Sequence, residues 1–185
     1  MRKLIFSMGV SLDGYVAGPD GEIDWTVPDE ELHRFHNRRT QELGAQLCGR
    51  RLYEVMRYWD TADRNAASTD VELEFARIWL ALPKIVFSTT LETVEGNARL
   101  ATDDVAAEVE RLKAEPGKDI AVGGASLAAR CTELGLIDEY QLFVYPVVLG
   151  AGTPYFPPLE RRIPLELVET RTFGSRVQYL RYRRV

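Results

Sequence analysis

The sequence predicts one α/β domain of three layers, in which a mixed and mostly parallel central sheet lies between two layers of helices. Short apolar runs alternate with helical segments through most of the chain, an order typical of parallel strands joined by helices. The last segment, 165–185, roughly alternates apolar and polar residues around Gly174 and Ser175, as an antiparallel hairpin does. No linker long enough to divide the 185 residues occurs, so we expect a single domain over 1–185.

The apolar runs are predicted to be strands of the buried type, since they are short and rich in Val, Ile, Leu and Phe. They cover residues 3–11, 45–49, 84–88, 119–122 and 140–149. Pro28 and the three carboxylates that follow it predict a helix start, because proline fits the first turn and carboxylates favour the positive end of the helix dipole. The other predicted helices cover 52–59, 71–82, 105–112 and 126–135.

Composition and charge exclude several classes of protein. A net charge of −5 and a pI of about 5.2 argue against a nucleic-acid partner. No stretch approaches the length of about 18 apolar residues that a transmembrane helix needs, and the N-terminus lacks signal-peptide features, so we expect no membrane partner and a cytoplasmic location. Cys48, Cys131, His33 and His36 are scattered, which predicts no metal site, and the two histidines are expected on an exposed helical turn.

Three common functional motifs are absent. The chain has no GxGxxG after its first strand, no GxxxxGK[ST] loop and no GxSxG elbow. Instead, glycine, arginine or hydroxyl residues follow three strands, at 49–51, 88–90 and 122–126. Ligands of open α/β sheets bind at the carboxyl ends of strands, where free backbone N–H groups can hold phosphate. Three such segments predict a long polyanionic ligand.

Residues 49–54, Gly-Arg-Arg-Leu-Tyr-Glu, resemble the GRxTxE segment of dihydrofolate-reductase-like proteins. In that family the arginine meets the adenosine 2′-phosphate of NADPH, which implies this role for Arg50. Arg51 adds a second cation beside it. Leu52 stands where the family usually has threonine, a departure that removes one expected hydrogen bond to the pyrophosphate.

Other segments extend the resemblance over about residues 3–182. Residues 122–126 resemble the family's Gly-Gly segment, whose peptide is commonly cis and lies against the nicotinamide and diphosphate. Residues 87–90 resemble the strand end that holds the adenosine side. Residues 11–14, 135–140 and 146–156 closely resemble the stand-alone relatives of the reductase domain of riboflavin biosynthesis.

The resemblance implies the dihydrofolate-reductase-like fold, NADPH as cofactor and a set of cofactor-binding residues near the strand ends. This set is Ala17, Gly49, Arg50, Arg51, Leu52, Ser88, Thr89, Thr90, Val122, Gly123, Gly124, Ala125, Ser126 and Leu127.

The substrate end offers several candidate acids. Residues 25–30 can be laid over the tryptophan and proline that precede the acid of true dihydrofolate reductases, which places Glu30 at the acid position. A carboxyl group in an apolar cleft has a raised pKa and can protonate a substrate nitrogen. Glu30 is also explained as one of the helix N-terminal charges, and Asp13 and Asp24 are rival acids on the loop after the first strand. Trp25, Tyr155 and Phe156 are expected to contact the substrate.

The resemblance implies an NADPH-dependent reductase that transfers hydride to a small heterocyclic, aminopyrimidine-like or pterin-like substrate. It resembles the 5-amino-6-(5-phosphoribosylamino)uracil reductase of riboflavin biosynthesis, without the H-x-E and P-C-x-x-C motifs of the deaminase often fused to it. The alternatives are a true dihydrofolate reductase and a non-catalytic nucleotide- or flavin-binding module of the same fold. A homodimer is expected from the resemblance and from the apolar strand near the closing hairpin.

Overall fold

A computed structural model describes residues 1–185 and confirms the three-layer α/β architecture. The ten strands are β1 (Leu4–Ser11), β2 (Tyr15–Ala17), β3 (Leu43–Gly49), β4 (Lys84–Phe87), β5 (Ala98–Leu100), β6 (Asp119–Gly123), β7 (Glu139–Tyr145), β8 (Thr153–Pro154), β9 (Leu165–Thr172) and β10 (Gln178–Arg184). Eight of them form one sheet in the order β5-β4-β3-β6-β1-β7-β10-β9, and β2 pairs with β8 in a separate small sheet.

The sheet is parallel from β5 to β7, and β10 alone runs against its neighbours β7 and β9. The carboxyl ends of β1, β3, β4 and β6 therefore meet at one edge of the sheet. The hairpin of β9 and β10 turns through residues 173–177, which confirms the predicted turn at Gly174 and Ser175.

Five α-helices join the strands: α1 (Glu30–Gln41), α2 (Arg50–Met56), α3 (Asp70–Ala81), α4 (Val105–Ala114) and α5 (Ala125–Glu133). Two 3₁₀ helices cover Asp24–Thr26 and Arg57–Arg64. Side chains of Asp29, Thr69 and Asp104 cap α1, α3 and α4 by accepting a hydrogen bond from a backbone N–H of the first turn. The predicted helix starts at residues 28–31 and 103–105 are thereby confirmed.

Alternation along β1 separates the two faces of the sheet. Leu4, Phe6 and Val10 point into the main core, which α4 and α5 cover. Ile5, Ser7 and Gly9 point to the opposite face, where α1 and α3 lie. Because the side chains of β1 on this second face are small at two of three positions, the layer of α1 does not fill the space above them.

The structure corrects several predicted boundaries. The predicted strand 140–149 ends at Tyr145, because Pro146 cannot donate to a sheet hydrogen bond and the chain turns away. Strands β2, β5 and β8 were not predicted, since two or three residues carry no periodicity. The predicted helix 52–59 begins at Arg50 and changes to 3₁₀ geometry at Arg57. None of the helices has the length and apolar character needed to cross a membrane.

Candidate functional site

A cavity of about 650 Å³ lies between the sheet and the layer formed by α1, α2 and α3. Its floor consists of small side chains on the two central strands: Ser7, Gly9, Ala121 and Gly123. Its mouth, at the carboxyl edge of the sheet, is formed by Thr26, Val27, Pro28, Leu52, Met56, Tyr58 and Trp59. This volume lies within the range of about 300–1,000 Å³ typical of small-molecule sites.

Two histidines of α1 face the cavity. His33 lies at the mouth, with its ring 6.1 Å from the ring of Trp59 and 5.8 Å from that of Phe75. His36 lies deeper, 4.3 Å from the ring of Phe143. Burial lowers the pKa of His33, and it lowers the pKa of His36 to about 4, which leaves the His36 imidazole neutral at pH 7. The expectation of an exposed helical turn was wrong, because both positions fall on the face of α1 that covers the sheet.

The glycines predicted to bind phosphate meet where β3 and β6 end. Cys48 pairs with Gly123 in the register of these two strands, so Gly49 and Gly124 leave the sheet side by side. A Cβ atom added to Gly124 would lie 3.6 Å from the backbone nitrogen of Gly49. The structure contains no cis peptide bond, so the cis geometry expected between Gly123 and Gly124 is corrected to trans. Gly124 makes the turn through a positive φ of +92°, which favours glycine.

Helices α2 and α5 begin at these glycines, and neither has a side-chain cap. Their first N–H groups therefore point to the carboxyl edge of the sheet without a protein side chain to accept from them. Leu127 packs beneath Gly49, and Leu52 packs over Gly123, where a Cβ atom would lie 2.3 Å from Leu52 Cδ2. Leu52 thus contacts the glycine pair through its apolar side chain and also lines the cavity mouth.

The remaining predicted cofactor residues lie around this edge. Arg50 and Arg51 open α2, where Arg50 Nη1 contacts Glu54 Oε1 at 3.2 Å and Arg51 is exposed. Ser88 follows β4, which neighbours β3, and its Oγ accepts hydrogen bonds from Thr90 N and Leu91 N. The other members are exposed Thr89 and Ser126, half-buried Ala17 on β2 and Ala125 on α5, and buried Val122 on β6.

The three candidate acids lie outside the cavity lining. Glu30 Oε1 contacts Arg34 Nη2 at 2.6 Å on the exposed first turn of α1. Asp24 is exposed on a 3₁₀ helix. The structure therefore brings none of the three next to the small side chains of the cavity floor.

Asp13 anchors a loop. Its carboxylate accepts hydrogen bonds from Ser11 Oγ at 2.7 Å, from Leu149 N at 3.1 Å and from Gly150 N at 2.7 Å. The hydrogen bond from Ser11, together with those from the two N–H groups, lowers the pKa of Asp13. This carboxylate stays ionised and ties the 146–152 loop to the end of β1.

The aromatic residues predicted to contact the substrate also lie elsewhere. Tyr155 is in the main core on the opposite face of the sheet, where its ring stacks on Phe6 at 4.3 Å and its hydroxyl donates to Phe6 O at 3.0 Å. Phe156 follows on that same side, 5.2 Å from the ring of Tyr140. Trp25 packs edge-on against Tyr145 beside the mouth, and its neighbours 26–28, rather than Trp25 itself, line the cavity.

Sequence reasoning missed the polar residues of the cavity wall, above all Gln46 and Gln141. Both are nearly buried, at 8% and 5% exposure, and both interrupt apolar strand runs. A polar residue within an apolar strand run is the sequence feature that could have predicted these two residues in a cavity wall.

Comparisons with known proteins decide the family. Residues 2–179 match the model of the RibD C-terminal domain. The chain belongs to this family. Two Bacillus subtilis proteins of uncharacterised function are similar over nearly their whole length. YyaP is 37% identical over 184 residues, covering 98% of this chain and 94% of its own, and YwjB is 31% identical over 179 residues, covering 96% and 95%.

Solved structures share the fold of this RibD C-terminal domain. A Shewanella sp. PV-4 protein named for riboflavin biosynthesis superposes with a TM-score of 0.77 at 21% identity, covering 100% of this chain and 99% of its own. A pyrimidine reductase-like protein from Corynebacterium diphtheriae gives 0.66 at 14% identity, covering 100% and 92%. The Thermotoga maritima deaminase/5-amino-6-(5-phosphoribosylamino)uracil reductase gives 0.65 at 14% identity, and this chain spans 57% of it.

Proposed function

We propose that this RibD C-terminal domain protein is an NADPH-dependent reductase that transfers hydride to a small heterocyclic substrate. The observation that carries the proposal is the pair of uncapped helix starts at Gly49 and Gly124, side by side at the edge where the cavity opens. Backbone N–H groups at helix starts bind phosphate, and the helix dipoles add to this attraction.

The residues present fit a dinucleotide with a 2′-phosphate. Side chains larger than hydrogen at Gly49 and Gly124 would fill the space beside the two helix starts, and the positive φ of Gly124 keeps that position free of a Cβ atom. Arg50 and Arg51 stand at the start of α2 and provide two cations for a phosphate dianion. Ser88, Thr89 and Thr90 provide hydroxyl groups at the neighbouring strand end.

NADPH supplies the hydride when it is bound, and the chain supplies position and electrostatics. Gly49, Gly123 and Gly124 form an edge, here called the glycine edge. Gly123 and Leu52 line both this edge and the cavity, so the residues that would hold the cofactor adjoin the space for the substrate. The cavity would hold the substrate ring next to this edge.

The proton for the reduced atom comes from solvent in this proposal. Glu30, Asp24 and Asp13 lie outside the cavity lining, and Asp13 is held ionised by its hydrogen bonds. None of the three carboxylates predicted as the acid lines the cavity, which disfavours a true dihydrofolate reductase.

Oxidation of NADPH at 340 nm in the presence of aminopyrimidines and pterins tests the function. Loss of absorbance that depends on both protein and one of these rings supports a reductase. NADPH binding without turnover on any ring would instead identify a non-catalytic nucleotide-binding module. No binding of NADPH at all would contradict both.

A further inference from the structure

Two buried glutamines face the cavity with unused hydrogen-bonding groups. Gln141 of β7 is 5% exposed, and its backbone carbonyl, not its side chain, receives the hydrogen bond from Tyr155. Gln46 of β3 is 8% exposed, and its Nε2 donates to Leu47 O at 3.1 Å, which leaves Oε1 without a donor. These amide groups are open to the cavity and have no protein partner there, so they are free to exchange hydrogen bonds with a bound ligand.

Other uncommitted polar groups in the cavity are also neutral. Ser7 lies next to Gln141 in the register of β1 and β7, and its hydroxyl faces the cavity. His36 approaches from α1 on the other side, with an uncharged ring that offers one donor and one acceptor. The cavity therefore presents amide, hydroxyl and imidazole groups, which match a ring bearing C=O and N–H groups.

The two arginines of the cavity lining are already paired. Glu139 accepts from Arg181 Nε at 2.8 Å and from Lys3 Nζ at 2.5 Å. Arg39 contacts Glu169 at 2.5 Å and Glu42 at 3.2 Å. Two arginines and four carboxylates line the cavity, so its formal balance is negative, and neither arginine is free to receive an anion.

The surface beside the mouth is acidic as well. A groove next to the cavity shares Pro28, His33 and Glu72 with it and is lined further by Asp29, Glu30 and Asp70. The arginine of this groove, Arg34, is paired with Glu30 at 2.6 Å. A phosphate group extending from the cavity would meet four carboxylates of like charge in this groove and a single arginine.

We infer that the cavity takes an uncharged, planar ring with imide or amide groups that carries no phosphate, and that Gln46 and Gln141 recognise the ring. This inference rests on the proposed function, since it names the substrate class of the same site. The substrate inferred for this chain differs from one that carries a phosphoribosyl group, such as the substrate in the name of the Thermotoga maritima reductase.

The test compares 5-amino-6-(ribosylamino)uracil with its 5′-phosphate, a pair that differs only in the phosphate. Titration calorimetry under anaerobic conditions measures both dissociation constants, with and without NADP⁺. We expect the unphosphorylated compound to bind at least tenfold more tightly. Gln141→Leu, which conserves shape, should weaken binding of that compound by about tenfold, whereas Gln178→Leu, on the exposed part of β10, should leave it unchanged.

Equal or tighter binding of the phosphate, or no binding of the unphosphorylated ring, would overturn the inference. Because this comparison uses the wild-type protein, it stands even if Gln141→Leu fails to fold. NADPH oxidation with the phosphate as the better substrate would overturn the inference and leave the reductase function intact. Tighter binding of the unphosphorylated ring without any NADPH oxidation would support the inference and contradict the reductase function.

Discussion

Arg50 forms a weak ion pair within the protein and would form a stronger one with the 2′-phosphate of the proposed ligand. Its guanidinium contacts Glu54 at 3.2 Å, and both side chains are nearly half exposed. An exposed pair at this i,i+4 spacing contributes only about 0.3–0.5 kcal/mol, so exchanging it for a phosphate dianion is favourable. In the proposed site, Arg50 therefore distinguishes NADPH, which carries the 2′-phosphate, from NADH, which lacks it.

Arg50→Ala should weaken NADPH binding by roughly 10- to 150-fold, equivalent to about 1.5–3 kcal/mol for hydrogen bonds to a charged group. Binding of NADH, which lacks the 2′-phosphate, should hardly change. Arg130→Ala is a matched control, because Arg130 is an exposed helical arginine paired with Glu133 away from the glycine edge. Equal losses for both cofactors would remove Arg50 from the 2′-phosphate site.

Glu30 occupies the position that sequence comparison gives to an acid, yet it forms an exposed ion pair with Arg34. We therefore expect Glu30→Gln to change kcat by less than about twofold on any ring that the protein reduces. Loss of a general acid would lower it by about 10²- to 10⁴-fold. Steady-state kinetics distinguish the two results, and a loss of the larger size would restore Glu30 as the proton donor.

The start of α5 is the part of the proposed cofactor site most sensitive to substitution. Gly124 has a φ of +92°, and a side chain there would project beside Gly49, between the two helix starts. A β-branched residue at such a φ is strained by about 1–3 kcal/mol, so stability and binding must be separated.

Gly124→Val should abolish measurable NADPH binding while circular dichroism shows that the fold persists with a lower melting temperature. Gly117→Val serves as the control, because Gly117 also has a positive φ, of +147°, but lies at the opposite edge of the sheet. That variant should be destabilised and keep its NADPH affinity. Unchanged affinity in Gly124→Val would mean that the glycine pair is only a turn.

The elements that the sequence predicted well are those with long, regular patterns. The apolar runs around β1, β4 and β6, the helix start at residues 103–105 and the closing hairpin are local signals, and the structure confirms them. The cavity, in contrast, is formed by residues that are far apart in the sequence. Gln46, Gln141 and His36 lie on three elements, and only the order of strands in the sheet brings them to one space.

The misplaced aromatic residues have the same cause. Tyr155 follows a strand of two residues whose pairing with β2 places its ring on the far face of the sheet, and nothing in the local sequence encodes that side. Segments of the proposed cofactor edge were easier to find, because glycine after a strand is a local pattern and the register of β3 with β6 aligns the two glycine turns.

Strand β9 leaves one edge of the sheet open. This strand of eight residues exposes Leu167 and Val168, at 51% and 45%. Long edge strands with exposed apolar residues are usually paired or covered. We predict a homodimer, for which light scattering at micromolar protein should give about twice 21.0 kDa. Leu167→Glu should shift the mass toward 21.0 kDa, and a wild-type monomer would contradict the prediction.

We propose that the glycine edge of this RibD C-terminal domain binds NADPH through its helix starts and Arg50. Titration of the wild-type protein with NADPH and with NADH, followed by calorimetry, tests it most directly. We expect one NADPH per chain, bound at least about tenfold more tightly than NADH because the 2′-phosphate adds charged hydrogen bonds. Equal affinities, or no NADPH binding, would contradict it.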